Sequence, residues 1–155
     1  MRVSTRGRYA LRAMVELAAS GDEPLQRKEI ALRQAISANY IAQLFRLLRE
    51  AGLVRSIKGP GGGYTLARGA AEISVGDVLR AVDEPLALAD CAGARGLACC
   101  ERAPVCSVRP FWQRLTQALE QIADSTTLRD LSQRSAVSAR SNTNLAMRGS
   151  QRREQ

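Results

Sequence analysis

The sequence contains no histidine at all, and aromatic residues make up only 4% of its 155 positions. Without imidazole, the commonest general base near neutral pH is missing, and so is the commonest nitrogen ligand for a metal. A Ser–His–Asp triad and a histidine-bound metal centre are excluded, and no serine stands beside another suitable base. The chain reads as a non-enzyme with no small-molecule substrate. Long apolar runs are absent too. No stretch approaches the roughly 18 apolar residues of a membrane span. The opening MRVSTRGRYALRAMVELAAS is interrupted by Arg8 and Arg12, where a signal peptide needs an unbroken apolar core. This predicts a cytoplasmic protein with no membrane partner.

Cysteine is missing everywhere except one segment, CAGARGLACCERAPVC, which holds Cys91, Cys99, Cys100 and Cys106. A chain of this length with 45% apolar residues buries enough surface to fold without covalent staples. That disfavours a disulfide knot, and in a reducing compartment clustered thiols point to metal or redox chemistry. Tetrahedral zinc usually takes its thiolates in closely spaced pairs. Here seven residues separate Cys91 from Cys99, Cys99 adjoins Cys100, and five residues precede Cys106. Adjacent side chains rarely converge on one metal, so Cys91, Cys100 and Cys106 form the natural set, with Cys99 as an alternative or fourth ligand. Three thiolates suit most of an iron–sulfur cluster. They equally suit a thiol redox switch, in which the vicinal pair favours oxidation.

Lysine is scarce: two residues against 21 arginines, in a chain of net charge +8. Arginine's planar fork matches phosphate and guanine edges, so this excess suggests a polyanion partner. Half of it lies in the Ser-, Asn- and Arg-rich stretch from Ser135 onward and its flank; residues 134–155 are predicted to be a disordered basic tail.

The remaining pattern is mainly α with a small β-hairpin. Ser4 caps a helix to about Ala19 with Leu11, Met14, Val15 and Ala18 as its apolar stripe. A short second helix follows from Gln26 to Gln34, burying Ile30 and Ala31. Ser37 opens a third helix and Gly52 stops it. The third helix turns Tyr40, Leu44 and Leu48 to one side and Asn39, Gln43, Arg46 and Arg49 to the other. LVRSIKGPGGGYTLA then alternates around a glycine-rich tip, the pattern of a hairpin. Ser74 and Asp77 form a capping box opening a fourth helix, and Pro110 begins a long last one. In that last helix Trp112, Leu115, Leu119 and Ile122 follow the 3.5-residue step of a coiled-coil seam, and Leu128 and Leu131 continue an apolar face past a Ser125–Thr126–Thr127 interruption. Three helices followed by a hairpin make a winged helix-turn-helix. The third helix would enter the major groove, where Asn and Gln pair with adenine and Arg with guanine. The hairpin, with Lys58, Gly59 and Gly61 at its tip, would follow the backbone or minor groove. The expected organisation is a DNA-binding domain over 1–84, a thiol-bearing sensor loop over 85–109 and a dimerisation helix over 110–133.

These segments also carry a family likeness. MRVSTRGRYALRAMVELA, SANYIAQLFRLLREAGLVRSIKGPGGGYTLA and ISVGDVLRAVDEP, then the cysteine loop and its FW-initiated helix, resemble the IscR/NsrR-type winged-helix regulators, colinearly from Met1 to about Gln133. The resemblance implies a homodimeric bacterial transcription factor, usually a repressor, acting on double-stranded operator DNA. It implies an iron–sulfur cluster, 2Fe–2S or 4Fe–4S, on Cys91, Cys100 and Cys106, whose state alters DNA affinity. DNA contacts carried over by position fall on Arg2, Ser37, Asn39, Tyr40, Gln43 and the wing around Lys58 to Gly61. Two positions depart from the pattern. Arg109 stands where supply-sensing members place a histidine, and Arg8 where nitric-oxide-sensing members take a carboxylate. The fourth ligand is left open among Cys99, Asp90, Glu101 and an exogenous molecule. Cluster-free relatives keep open the alternatives of a thiol switch or of sensing through a protein partner.

Overall fold

Three helices begin at a serine whose hydroxyl accepts one of their first amides, at Ser4, Ser37 and Ser74. The computed structural model describes residues 3–93 and 100–133. Arg2, Cys99 and the tail over 134–155 lie outside the described residues, so the expectations placed on them are not met or refuted by it. Helix α1 (Thr5–Ser20) is capped by the Ser4 hydroxyl, which accepts from the Gly7 amide at 3.1 Å. It buries Ala10, Ala13, Met14 and Leu17, while Leu11, Val15 and Ala18 of the expected stripe pack at the margin of the core. Helix α2 (Arg27–Gln34) buries Ile30 and Ala31 and ends on Ala35 in the left-handed region.

Helix α3 (Ala38–Glu50) opens on Ser37, whose hydroxyl accepts from the Tyr40 amide. It closes in a Schellman arrangement: Gly52 has φ 71°, its amide bonds the Arg49 carbonyl, and the Leu53 amide bonds the Leu48 carbonyl at 2.9 Å. Ile41, Leu44, Phe45 and Leu48 are buried, so the inner face is the expected one except for Tyr40, which is only half-buried.

Strands β1 (Val54–Ile57) and β2 (Gly63–Leu66) pair antiparallel with Val54 opposite Leu66 and Ile57 opposite Gly63. Leu25, just before α2, adds a one-residue bridge to the outer edge of β2, exchanging both backbone hydrogen bonds with Tyr64. The wing is thus stitched to the start of the helix-turn-helix. Gly63 makes this possible: a Cβ there would sit 2.4 Å from the Leu25 carbonyl oxygen.

Helix α4 (Val75–Ala81) has the full capping box, with Ser74 and Asp77 exchanging side-chain-to-backbone hydrogen bonds at 3.0 Å each. Burial alone would push the Asp77 carboxyl up, but the Ser74 amide and hydroxyl and the Arg80 guanidinium together hold it below its ordinary value. The core gathers α1, α3 and α4 around Met14, Leu17, Ile30, Phe45, Leu48, Ile73 and Val78.

Helix α5 (Arg109–Ser125) starts with Pro110 in its first turn. It differs from the expectation in two ways. First, it does not run to residue 133: the chain breaks at Thr126, and residues 128–133 form a separate helical turn. The Val75 amide bonds the Thr126 carbonyl and the Leu128 amide bonds that of Ile73, which draws Leu128 fully into the DNA-binding domain's core. Leu128, beyond the expected interruption at Ser125–Thr127, therefore belongs to this core rather than to a face of α5. Second, the apolar positions divide. Trp112, Thr116, Leu119 and Ala123 face inward, half or fully buried, whereas Phe111, Leu115 and Ile122 are exposed.

Two glycines give a paired test of these contacts. Ala at Gly63 must displace backbone and should lower stability by about 1–3 kcal/mol, the usual range for overpacking. Ala at Gly76 meets the Asp124 carboxylate and the Arg80 guanidinium bonded to it, both far ends of movable side chains, and should cost less. Urea unfolding of both variants checks the order. Because Asp77 is held below its ordinary value, its contribution is present above about pH 4 and is lost as pH falls through the lowered value. The stability gap between wild type and Asp77→Asn should be widest near neutrality and should close in acid, as thermal melts across that range would show.

Candidate nucleic-acid interface and thiol segment

Four residues of one helical face remain outside the core once α3 is packed. Asn39, Gln43, Arg46 and Glu50 step by four, three and four, and all are exposed, with Arg49 alongside. Side chains so spaced project from one surface. The free amides of Asn39 and Gln43 occupy the N-terminal two turns. Arg46 is held by Glu50 at 2.9 Å, an exposed pair that costs little to open. Ser37 spends its oxygen lone pair on the Tyr40 amide but keeps its hydroxyl proton.

Tyr40 has a structural duty that its DNA-contact assignment omits. Its ring meets Tyr9 edge-on at 6.0 Å, and Arg12 lies over Tyr9 at 5.6 Å while bonding the Gln34 carbonyl at 2.8 Å. These contacts fix the start of α3 against α1 and the end of α2.

Beside this face stands the wing. Lys58 is exposed, and Gly59 and Gly61 take φ of 102° and 75°, conformations that glycine adopts without strain. Phe45 of α3 packs on Tyr64 of β2 at 4.5 Å, which sets wing and helix in one body. Arg55, exposed on β1, instead donates from Nε across the hairpin to the Thr65 hydroxyl at 3.0 Å. A groove between the wing tip and the start of α2 is lined by Arg27 and Lys28. Sequence reading missed these two. Their place on the solvent side of a short helix was visible, but their nearness to the wing depends on the Leu25–Tyr64 bridge.

The thiol segment lies at the other end of the chain's path. It leaves α4 through Glu84, whose carboxylate accepts from the Ser4 amide at 2.8 Å and from the Ser4 hydroxyl. The Leu88 amide then bonds the buried Thr116 hydroxyl of α5. Cys91 sits in a 3₁₀ turn, Asp90–Ala92, and Cys106 follows another, Ala103–Val105. Cys91 and Cys106 are half-buried, Cys100 is exposed, and all three are free thiols. Arg109 donates from Nε to the Cys91 carbonyl at 3.2 Å, joining the start of α5 to the start of the segment.

As donors, three thiolates suit iron and sulfide. Their placement does not: among the described residues no three Cys, Asp or Glu side chains are gathered where one metal could be held. Arg109 is engaged as a backbone donor and has no acceptor to offer a metal.

A helical scaffold with an exposed polar helix beside a two-stranded wing is a winged helix-turn-helix of the DNA-binding type. Comparison with known proteins shows the family. Residues 3–134 match the Rrf2 family model, described as "Iron-dependent Transcriptional regulator". The chain is 40% identical over 132 residues to the HTH-type transcriptional regulator IscR of Serratia proteamaculans, covering 84% of this chain and 79% of that one. Among solved structures, CymR, the global cysteine regulator of B. subtilis, superposes with a TM-score of 0.71 at 38% identity, covering 86% of this chain and 97% of that one. The structure of T. potens IscR gives 0.71 at 34% identity, covering 87% and 88%. The chain belongs to the Rrf2 family and is a DNA-binding transcriptional regulator, not an enzyme.

Replacing Gln43 with Ala should remove one base contact and weaken specific binding by about 1–3 kcal/mol, without lowering the melting temperature. Gel-shift titration on an operator selected from random duplexes, with calorimetry alongside, measures both.

Proposed function

We propose that this protein is a cytoplasmic, homodimeric repressor whose grip on double-stranded operator DNA is set by the thiol segment Cys91–Cys106. Asn39, Gln43 and Arg46 read base edges, Ser37 and Tyr40 meet phosphate, and Lys58, Gly59 and Gly61 follow the backbone or minor groove. Arg2 is assigned the same work from the family likeness alone. One observation supports the dimer best. Val108, Phe111, Leu115, Ala118 and Ile122 are all exposed and recur at steps of three and four along α5. Such a stripe is the seam by which one helix pairs with its copy. Two-fold pairing would also present two α3 helices to successive major grooves.

The input is assigned to the thiols because their segment is tied to both moving parts. Arg109 and Thr116 link it to α5, and Glu84 links its approach to the start of α1. An iron–sulfur cluster on Cys91, Cys100 and Cys106 is supported by the thiolate donor set and by the family's iron dependence. A second reading, reversible thiol oxidation, is favoured by the exposure of Cys100 and by the separation of the thiols.

Leu115→Glu with Ile122→Glu should give a folded monomer by sedimentation and lower operator affinity about a hundredfold or more, as avidity is lost. For the input, the measurement is the visible spectrum of anaerobically purified protein with iron and sulfide assays. Absorbance with stoichiometric iron, lost in Cys106→Ser, supports the cluster. A colourless protein that cannot be reconstituted, but whose DNA affinity responds to oxidant through Cys100, transfers the assignment to the thiol switch.

A further inference from the structure

Most cations of the helix-turn-helix are already engaged. Arg12 bonds Gln34, Arg33 bonds Glu29 and Glu16, and Arg46 bonds Glu50. Arg27 and Lys28 are different. Both are exposed, and neither side chain has a hydrogen bond or ion pair among the described residues. The carboxylate nearest in sequence, Glu29, is spent on Arg33 in an i,i+4 pair at 2.5 Å. The two positive charges are therefore left uncompensated side by side.

They also face something. The groove between the start of α2 and the wing has Arg27 and Lys28 on one wall and the backbone of Gly59, Gly61 and Gly62 on the other. Its width is held by the Leu25–Tyr64 bridge, with backbone bonds of 3.0 and 2.9 Å, so the cations keep a constant distance from the wing. The tip on the opposite wall is mostly backbone, because four of the five residues Gly59–Gly63 are glycine and Pro60 is the exception, while Ser56, Ile57 and Tyr64 complete the lining. Exposed unpaired cations beside bare backbone form a seat for an anionic chain rather than for a compact metabolite, since the groove is open along its length.

We propose that Arg27 and Lys28 form a phosphate-anchoring seat for the duplex backbone, set between the base-reading face of α3 and the wing. This rests on the DNA-binding reading above and deepens it. The seat positions the protein on DNA without reading sequence, so it contributes equally to every site. Each phosphate neutralised releases counterions, giving a slope of about −0.9 in log affinity against log salt.

The test is fluorescence anisotropy of the full chain on a labelled 30-base-pair duplex of random sequence, over a series of salt concentrations. Arg27→Gln with Lys28→Gln should reduce the magnitude of the slope by about 1.8 per bound protomer, with an unchanged melting temperature. Arg114→Gln, an exposed cation on α5, should leave it unaltered. A double variant with the wild-type slope overturns the proposal. So does a loss as large in Arg114→Gln as in either single variant, since the effect would then be net charge rather than contact. A wild-type chain that binds no duplex would refute the DNA-binding reading itself, which is a different failure.

Discussion

The contact on which the rest depends is the stack of Phe45 on Tyr64, closed behind by the backbone pairing of Tyr64 with Leu25. Phe45 belongs to α3 and Tyr64 to β2, so their rings join the third helix to the wing. Leu25 precedes α2, so the bridge adds the helix-turn-helix entry to the same body. A winged protein must present helix and wing at one fixed angle, because a groove and its flanking phosphates have a fixed spacing. Phe45 is 1% exposed, and ring packing in such a setting resists hinge motion more than a polar contact would. Gly63 is the condition for it, since any side chain there would strike the Leu25 carbonyl.

From this body a second set of contacts leads outward to α5. Ser74 caps α4 and also lies opposite Thr127 just beyond α5, so the capping box is joined to the chain leaving α5. Arg80 joins Asp77 of the same helix to Asp124 of α5, at 3.4 and 2.6 Å, and the Asp124 hydrogen bond holds its guanidinium above the usual value. Leu128 then enters the core. The far end of α5 is therefore fixed to the DNA-binding domain, while its beginning is held through Arg109 and the thiol segment. These two attachments are what the proposed sensing would act through.

The thiol segment is where family likeness and geometry diverge. The donors are right for iron and sulfide, yet the described residues do not converge. Arg109, at a position where related regulators place a ligand, instead holds the Cys91 carbonyl. That hydrogen bond keeps the segment's ends joined without a metal, as a thiol switch would also require.

Much was legible in the sequence because it is local. Ser4, Ser37 and Ser74 announce helix starts through a hydroxyl three residues from an amide, and Gly52 announces a stop, since these depend only on neighbouring backbone. The exposed face of α3 was legible for the same reason: a 3.6-residue period leaves Asn39 and Gln43 opposite Leu44 and Leu48. What the sequence left open was which partner covers the apolar residues of the C-terminal part. Leu128 reads as one more apolar position after the Ser125–Thr127 interruption, and the pairing of Val75 and Ile73 with Thr126 and Leu128 brings it into the core. Phe111 and Trp112 are adjacent and equally apolar, yet one faces solvent and the other its own domain. Arg27, Lys28 and Arg55 carry the same charge; the first two line the groove beside the wing, while the third bonds the Thr65 hydroxyl across the hairpin. Periodicity determined which residues share a face of this protein, and only the tertiary structure decided what each face meets, because burial depends on surfaces that lie distant in the chain.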